Sequence, residues 1–213
     1  MENKEAIQTV HEIRKMMEHS SKFLSFSGLS IILIGIYGVV GAYAAKQILM
    51  SIKSTFIEYS APNWLLIVPK LIFLALIVFT LALATLLIFA AQKSKKQHRS
   101  LFNAVTYRTF LNFFVPLVTG GIFCFALLLN GYIGIIAPAM LLFYGLSLVN
   151  VAKYTYGNIF WLGVSELILG LLCSFFPARG LLFWSLGFGL MHIMYGIYFY
   201  FCIERKENNQ SSK

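Results

Sequence analysis

Long apolar runs alternate with short polar segments along this chain, and the runs define its elements. Six of them, at about 23–45, 71–91, 109–129, 132–152, 159–176 and 181–203, have the length of bilayer-crossing helices. Ahead of the first run, Ile7 or Ala6, Val10, Ile13 and Met17 recur every three to four residues between Glu2, Glu5, Glu12, Arg14, Lys15 and Glu18. That is one apolar stripe on a charged helix. The pattern predicts an all-α fold: a polytopic membrane helix bundle of six transmembrane helices plus an N-terminal amphipathic helix. Residues 1–22 are expected to form that helix on the cytoplasmic face, 23–203 the transmembrane domain, and 204–213 a polar cytoplasmic tail.

Punctuation within and between the runs refines the picture. Gln47 to Ala61 carries a second amphipathic stripe and ends before Pro62, which predicts a separate interfacial helix. Pro69 suits the first turn of the second span. Pro116 and Pro138 fall inside the third and fourth spans, where kinks are expected. Asn130-Gly131 reads as a tight turn, and Pro177-Ala178-Arg179-Gly180 as the last break. In the first span Gly28, Gly35 and Gly38 recur in near-heptad register. Helices in lipid associate through such small-residue faces, because apolar side chains gain little by leaving lipid for protein.

Composition agrees with the pattern. Of 213 residues, 59% are hydrophobic and 12% charged, with mean hydropathy +0.77, whereas soluble domains carry about 25% charged residues. No polar segment is long enough for a separate soluble core. The net charge of +9 does not point to nucleic acid, because Lys and Arg gather in the segments between runs instead of on one face. Counted outside the spans, alternate segments starting from the N-terminus hold 4, 5, 1 and 3 of the 17 basic residues, together 13; the others hold 3, 0 and 1, together 4. That asymmetry predicts cytoplasmic N- and C-termini. Cys124, Cys173 and Cys202 lie within runs and show no zinc spacing, so neither a metal nor a cofactor is expected.

The chemistry concentrates in the fifth and sixth runs. Glu166 interrupts an otherwise apolar stretch, and a carboxylate at that depth costs about 2.5–3.5 kcal/mol on insertion scales. His192 is its natural partner, since each lies 13 residues from Arg179 in the intervening break. The short connection makes the two helices antiparallel neighbours, which predicts that the side chains meet near the bilayer midplane. Gly163 and Gly170 flank Glu166, Gly189 and Gly196 flank His192, and both pairs are expected to let these two backbones approach. Tyr144, Tyr195 and Asn112 are further candidates for the same binding or proton-handling centre. The expected function is non-enzymatic: a small transporter, a ligand sensor or a membrane accessory subunit, with the N-terminal helix as the route to homo- or hetero-oligomers.

Two resemblances add expectations. Ser27-Gly28-Leu29-Ser30, Val149-Asn150-Val151-Ala152-Lys153-Tyr154-Thr155 and the long motif from Phe176-Pro177 to Tyr195-Gly196 resemble an uncharacterised family of small six-span bacterial inner-membrane proteins. The likeness implies a bacterial inner-membrane location and names no activity. Gly145-Leu146-Ser147 with His192 resembles the rhomboid intramembrane proteases, which implies an intramembrane hydrolase using Ser147 and His192 as the alternative. The chain departs from that pattern at Leu148, where a second glycine belongs, and its second run holds no His or Asn for an oxyanion hole.

Overall fold

The computed structural model describes residues 27–55, 64–96 and 104–205. These form α1 (Gly28–Thr55), α2 (Trp64–Lys96), α3 (Ala104–Leu129), α4 (Ile133–Val151), α5 (Ile159–Phe175) and a composite last helix, α6 (Pro177–Glu204). The all-α bundle is as expected, but its count of spans is not. Five helices, α1 to α4 and α6, are long and apolar enough to cross a membrane. Among the described residues, the expected six spans plus a separate N-terminal amphipathic helix are therefore corrected to six helices, five of them long and apolar enough to span and one shorter. The physical reason lies in α5: 17 residues at a rise of about 1.5 Å fall short of a hydrocarbon core of about 30 Å. The amphipathic stretch 1–22 and the tail beyond 205 lie outside the described residues.

Two local expectations also change. α1 runs through Lys46 and Gln47 to Thr55, so no separate helix begins there. Ala44-Ala45-Lys46-Gln47 contains only good helix formers and no breaker, and a lysine near a membrane surface reaches out to water without ending the helix. α2 starts at Trp64, which places Pro69 inside the helix instead of in its first turn. The turn between α3 and α4 is as read: Gly131 has φ +79°, a left-handed conformation that glycine adopts without a Cβ clash.

Glycine seams set the packing. α6 lies antiparallel to α1: a Cβ on Gly28 would meet the Gly196 carbonyl at 2.8 Å, and one on Gly196 would meet the Gly28 carbonyl at 2.9 Å. Seven residues later in α1 and seven earlier in α6, a Cβ on Gly35 would lie 2.8 Å from the Gly189 carbonyl. Gly38 then rests on the Phe188 backbone. α4 and α5 form a second seam, where a Cβ on Gly145 or on Gly163 would sit 2.9 Å from the other's carbonyl. Each seam brings backbones closer than any side chain would permit.

Around these seams, α1 also carries α2, with Tyr37 Oη and Thr85 Oγ1 3.3 Å apart, and α4 carries α3, with Phe143 packed over Gly120. α6 sits centrally, against α1, α4 and α5. Its start lies beside the start of α4, since Gly180 approaches Ala137. At its other end Glu204 Oε2 accepts hydrogen bonds from the Gly28 N–H at 2.9 Å and the Ser27 hydroxyl at 3.3 Å. Residues 28 and 204 therefore occupy the same end of the bundle.

Candidate functional site

α6 is not a uniform helix. Between Gly180–Trp184 and His192–Phe199 it widens into a π-helical stretch, Ser185–Met191. Such wide turns are uncommon and gather at functional sites. Within this stretch the Gly187 carbonyl accepts from His192 Nδ1 at 2.9 Å. A carbonyl can only accept, so Nδ1 carries the proton, and in the neutral ring Nε2 is the acceptor. Tyr144 Oη lies 2.7 Å from Nε2 and donates to it. Phe188 stacks on the imidazole, with centroids 6.3 Å apart, and packs against the Tyr144 ring at 4.9 Å. The ring is thus fixed in both tautomer and plane.

Glu166 stands behind it, fully buried, with Oε1 3.5 Å from His192 Nδ1. The pair forms the buried polar centre expected from the two apolar runs. The contact is electrostatic more than a hydrogen bond: the Nδ1 proton is directed at Gly187, and neither carboxyl oxygen has a hydrogen-bond partner among the described residues. Room for the carboxyl comes from Gly187, where a Cβ would overlap Oε2. Gly187 therefore serves the site twice, through its carbonyl and through its missing side chain.

The glycines flanking Glu166 and His192 do not face each other, contrary to expectation. Gly163 and Gly170 pack against α4, at Gly145, Val149, Leu141 and Leu142, whereas Gly189 and Gly196 pack against α1. The two seams hold the α5 and α6 backbones by different partners, and the Glu166–His192 contact bridges the gap between them.

Of the other candidates, Tyr195 lies one turn beyond His192, and its buried hydroxyl has no partner among the described residues. Asn112 is not brought in, because its amide donates to the Arg108 carbonyl of its own helix at 2.8 Å. Ser147 is buried, but its hydroxyl donates to the Phe143 carbonyl at 2.9 Å, and the imidazole nitrogen that a serine nucleophile needs is held by Tyr144. No Ser–His pair forms, which removes the geometric basis of the hydrolase alternative.

A cavity of about 380 Å³ reaches this centre. Its walls come from α1 (Ile31, Ile34), α2 (Leu83 to Ala91), α3 (Thr106 to Phe114), α4 and the start of α5, and Tyr144, His192 and Tyr195 also line it. Glu166 is not part of the lining, so the cavity meets the imidazole side of the pair and not the carboxylate. All of these residues lie in the half of the bundle nearer residues 28 and 204. Sequence reasoning missed the cavity and Gly187, because neither leaves a periodic signal.

No family model, curated protein or solved structure matches the chain. What the helices themselves establish is a polytopic all-α bundle of the multi-span membrane type.

Proposed function

We propose that this chain is a non-enzymatic protein of the bacterial inner membrane that binds a small lipophilic molecule, as a ligand sensor or carrier. The observation that carries the reading is the cavity of about 380 Å³ lined in part by the hydrogen-bonded Tyr144–His192 pair. Its volume falls within the range of about 300–1,000 Å³ typical of ligand sites, and its mostly apolar lining with a few convergent polar groups is also typical. Tyr144, His192 and Tyr195 would contact the ligand. Glu166 stands behind the imidazole, where it either fixes the ring or exchanges a proton with it. The basic asymmetry assigns the end that holds residues 28 and 204 to the cytoplasm.

Native mass spectrometry of the purified full-length protein tests the proposal. A retained small molecule is expected, and it should be lost in Leu86→Trp, which fills the cavity from α2. A protein that carries no retained mass, and whose melting temperature is unchanged by added membrane extract, would overturn it. Comparing Glu166→Gln with Glu166→Ala then separates the roles of the carboxyl. If Glu166 only fixes the ring, Gln preserves both assembly and binding. A proton-exchanging group predicts that Gln preserves assembly and abolishes activity.

A further inference from the structure

The walls and the polar end of the cavity carry information about its occupant. Among the described residues, the lining contains no Lys, Arg, Asp or Glu. A charged headgroup brought into it would lose hydration and find no counter-charge among those residues. Two facing walls are built for a chain: aliphatic Leu83, Leu86 and Leu87 on α2, and aromatic Phe110, Phe113 and Phe114 on α3. Tyr195 lines the cavity, and its buried hydroxyl has no protein partner among the described residues. Buried hydroxyls are normally satisfied, and this one can donate to an oxygen of whatever enters.

The packing supplies an entrance. α2 is held by α1 and α3 by α4, with no extensive seam between α2 and α3 among the described residues. The cavity lies between these two hairpins, so the space between α2 and α3 is where it can communicate with lipid. The volume, at the small end of the range for ligand sites, accommodates one chain instead of two.

We infer that the cavity takes a neutral single-chain lipid, admitted sideways between α2 and α3, with its hydroxyl or carbonyl oxygen at Tyr195 and its chain between the leucine and phenylalanine walls. The inference rests on the ligand-binding reading above and narrows it to one ligand class. Because residues 28 and 204 mark the nearer end, the lipid enters from the leaflet on that side.

The test uses the full-length protein in lipid nanodiscs doped with tail-diazirine probes: a monoacylglycerol, the matching fatty acid and the matching lysophosphatidylglycerol. After illumination, labelled peptides are mapped by mass spectrometry. Saturable labelling at Leu86 and Phe113 by the monoacylglycerol is expected, in roughly tenfold excess over both charged probes, as an uncompensated charge would dictate. Tyr195→Phe should lower that labelling on the order of fivefold, the worth of one hydrogen bond, without changing the melting temperature. Labelling that never saturates, and that is equal at Leu86 and at lipid-facing Phe73, would reduce the cavity to ordinary lipid contact. Equal labelling by the charged probes would overturn the neutral headgroup, and unchanged labelling in Tyr195→Phe would overturn the polar anchor. If no probe labels the cavity while native mass spectrometry still shows a retained molecule, the lipid class falls and the ligand-binding reading stands. If neither signal appears, both fall.

Discussion

The α1–α6 seam and the α2–α3 walls are built from similarly apolar residues, yet they pack in opposite ways. Along the seam, backbone meets backbone at Gly28–Gly196 and Gly35–Gly189, with no room for even one methyl group. Along the walls, leucines and phenylalanines face each other across open space, and α2 turns most of its surface outward, with Phe73 66% exposed. In a bilayer, hydrophobicity does not distinguish these regions, because lipid solvates a leucine as well as protein does. Side-chain size does. Small residues close a seam and large ones hold it open, and the polar centre sits where the closed part of the bundle meets the open part.

The sharpest way to break this contrast is to enlarge a seam residue. Gly35→Leu and Gly163→Leu each force a side chain into a backbone, and each should cost at least about 3 kcal/mol. The expected result is loss of the monodisperse species by size-exclusion chromatography in detergent. Gly121 is the control: a Cβ there would meet nothing within 4 Å, so Gly121→Leu should behave like the parent. If all three variants behaved alike, the seams would not be what holds the bundle.

A smaller effect of opposite sign is expected at the polar centre. Glu166 buries two carboxyl oxygens without hydrogen bonds among the described residues, an arrangement costly for stability. Glu166→Met, of similar length and without polar atoms, removes that penalty while His192 keeps its bonds to Tyr144 and Gly187, and should raise stability by about 1–3 kcal/mol, read as a higher melting temperature. Ligand retention should fall at the same time, as expected of a site where stability is given up for function. A lower melting temperature would mean that the contact with His192 holds the helices together.

Next in size is the junction of the chain's described ends. Glu204→Ala removes the acceptor for the Gly28 N–H and the Ser27 hydroxyl and should cost about 1 kcal/mol, as loss of a helix cap does. Smallest of all, Leu86→Ala in the cavity wall should shift stability by no more than about 0.5 kcal/mol, since little protein packs on it. A loss comparable to that at Gly35 would show that the cavity is closed in the membrane.

Much of this was written in the sequence, and its limits are physical. The polar centre was legible because a lone carboxylate in an apolar run needs a partner, and equal spacing from Arg179 put Glu166 and His192 at one depth. The glycine positions were legible as packing faces, but not their partners: a helix with glycines on a face does not say which neighbour approaches it. The role of Gly187 was hidden because it depends on a π-helical stretch, which 3.6-residue periodicity does not encode. The span count failed at α5 because its run, whose ends were read to within one residue, is itself at the lower limit of a crossing length. The cavity was invisible because it is made by what α2 and α3 do not touch.

The pairing of α1 with α6 has a consequence for biosynthesis. α1 is the first described helix to leave the ribosome, and its glycine face is completed by residues made about 150–170 positions later. At roughly 5–20 residues per second, α1 waits on the order of ten seconds in the membrane before its partner exists. During that interval its small-residue face is open to any neighbouring helix, including the α1 of another nascent chain. Correct assembly thus depends on an encounter between the first and last described helices, and overexpression, by crowding unfinished chains, would favour pairing between molecules over pairing within one.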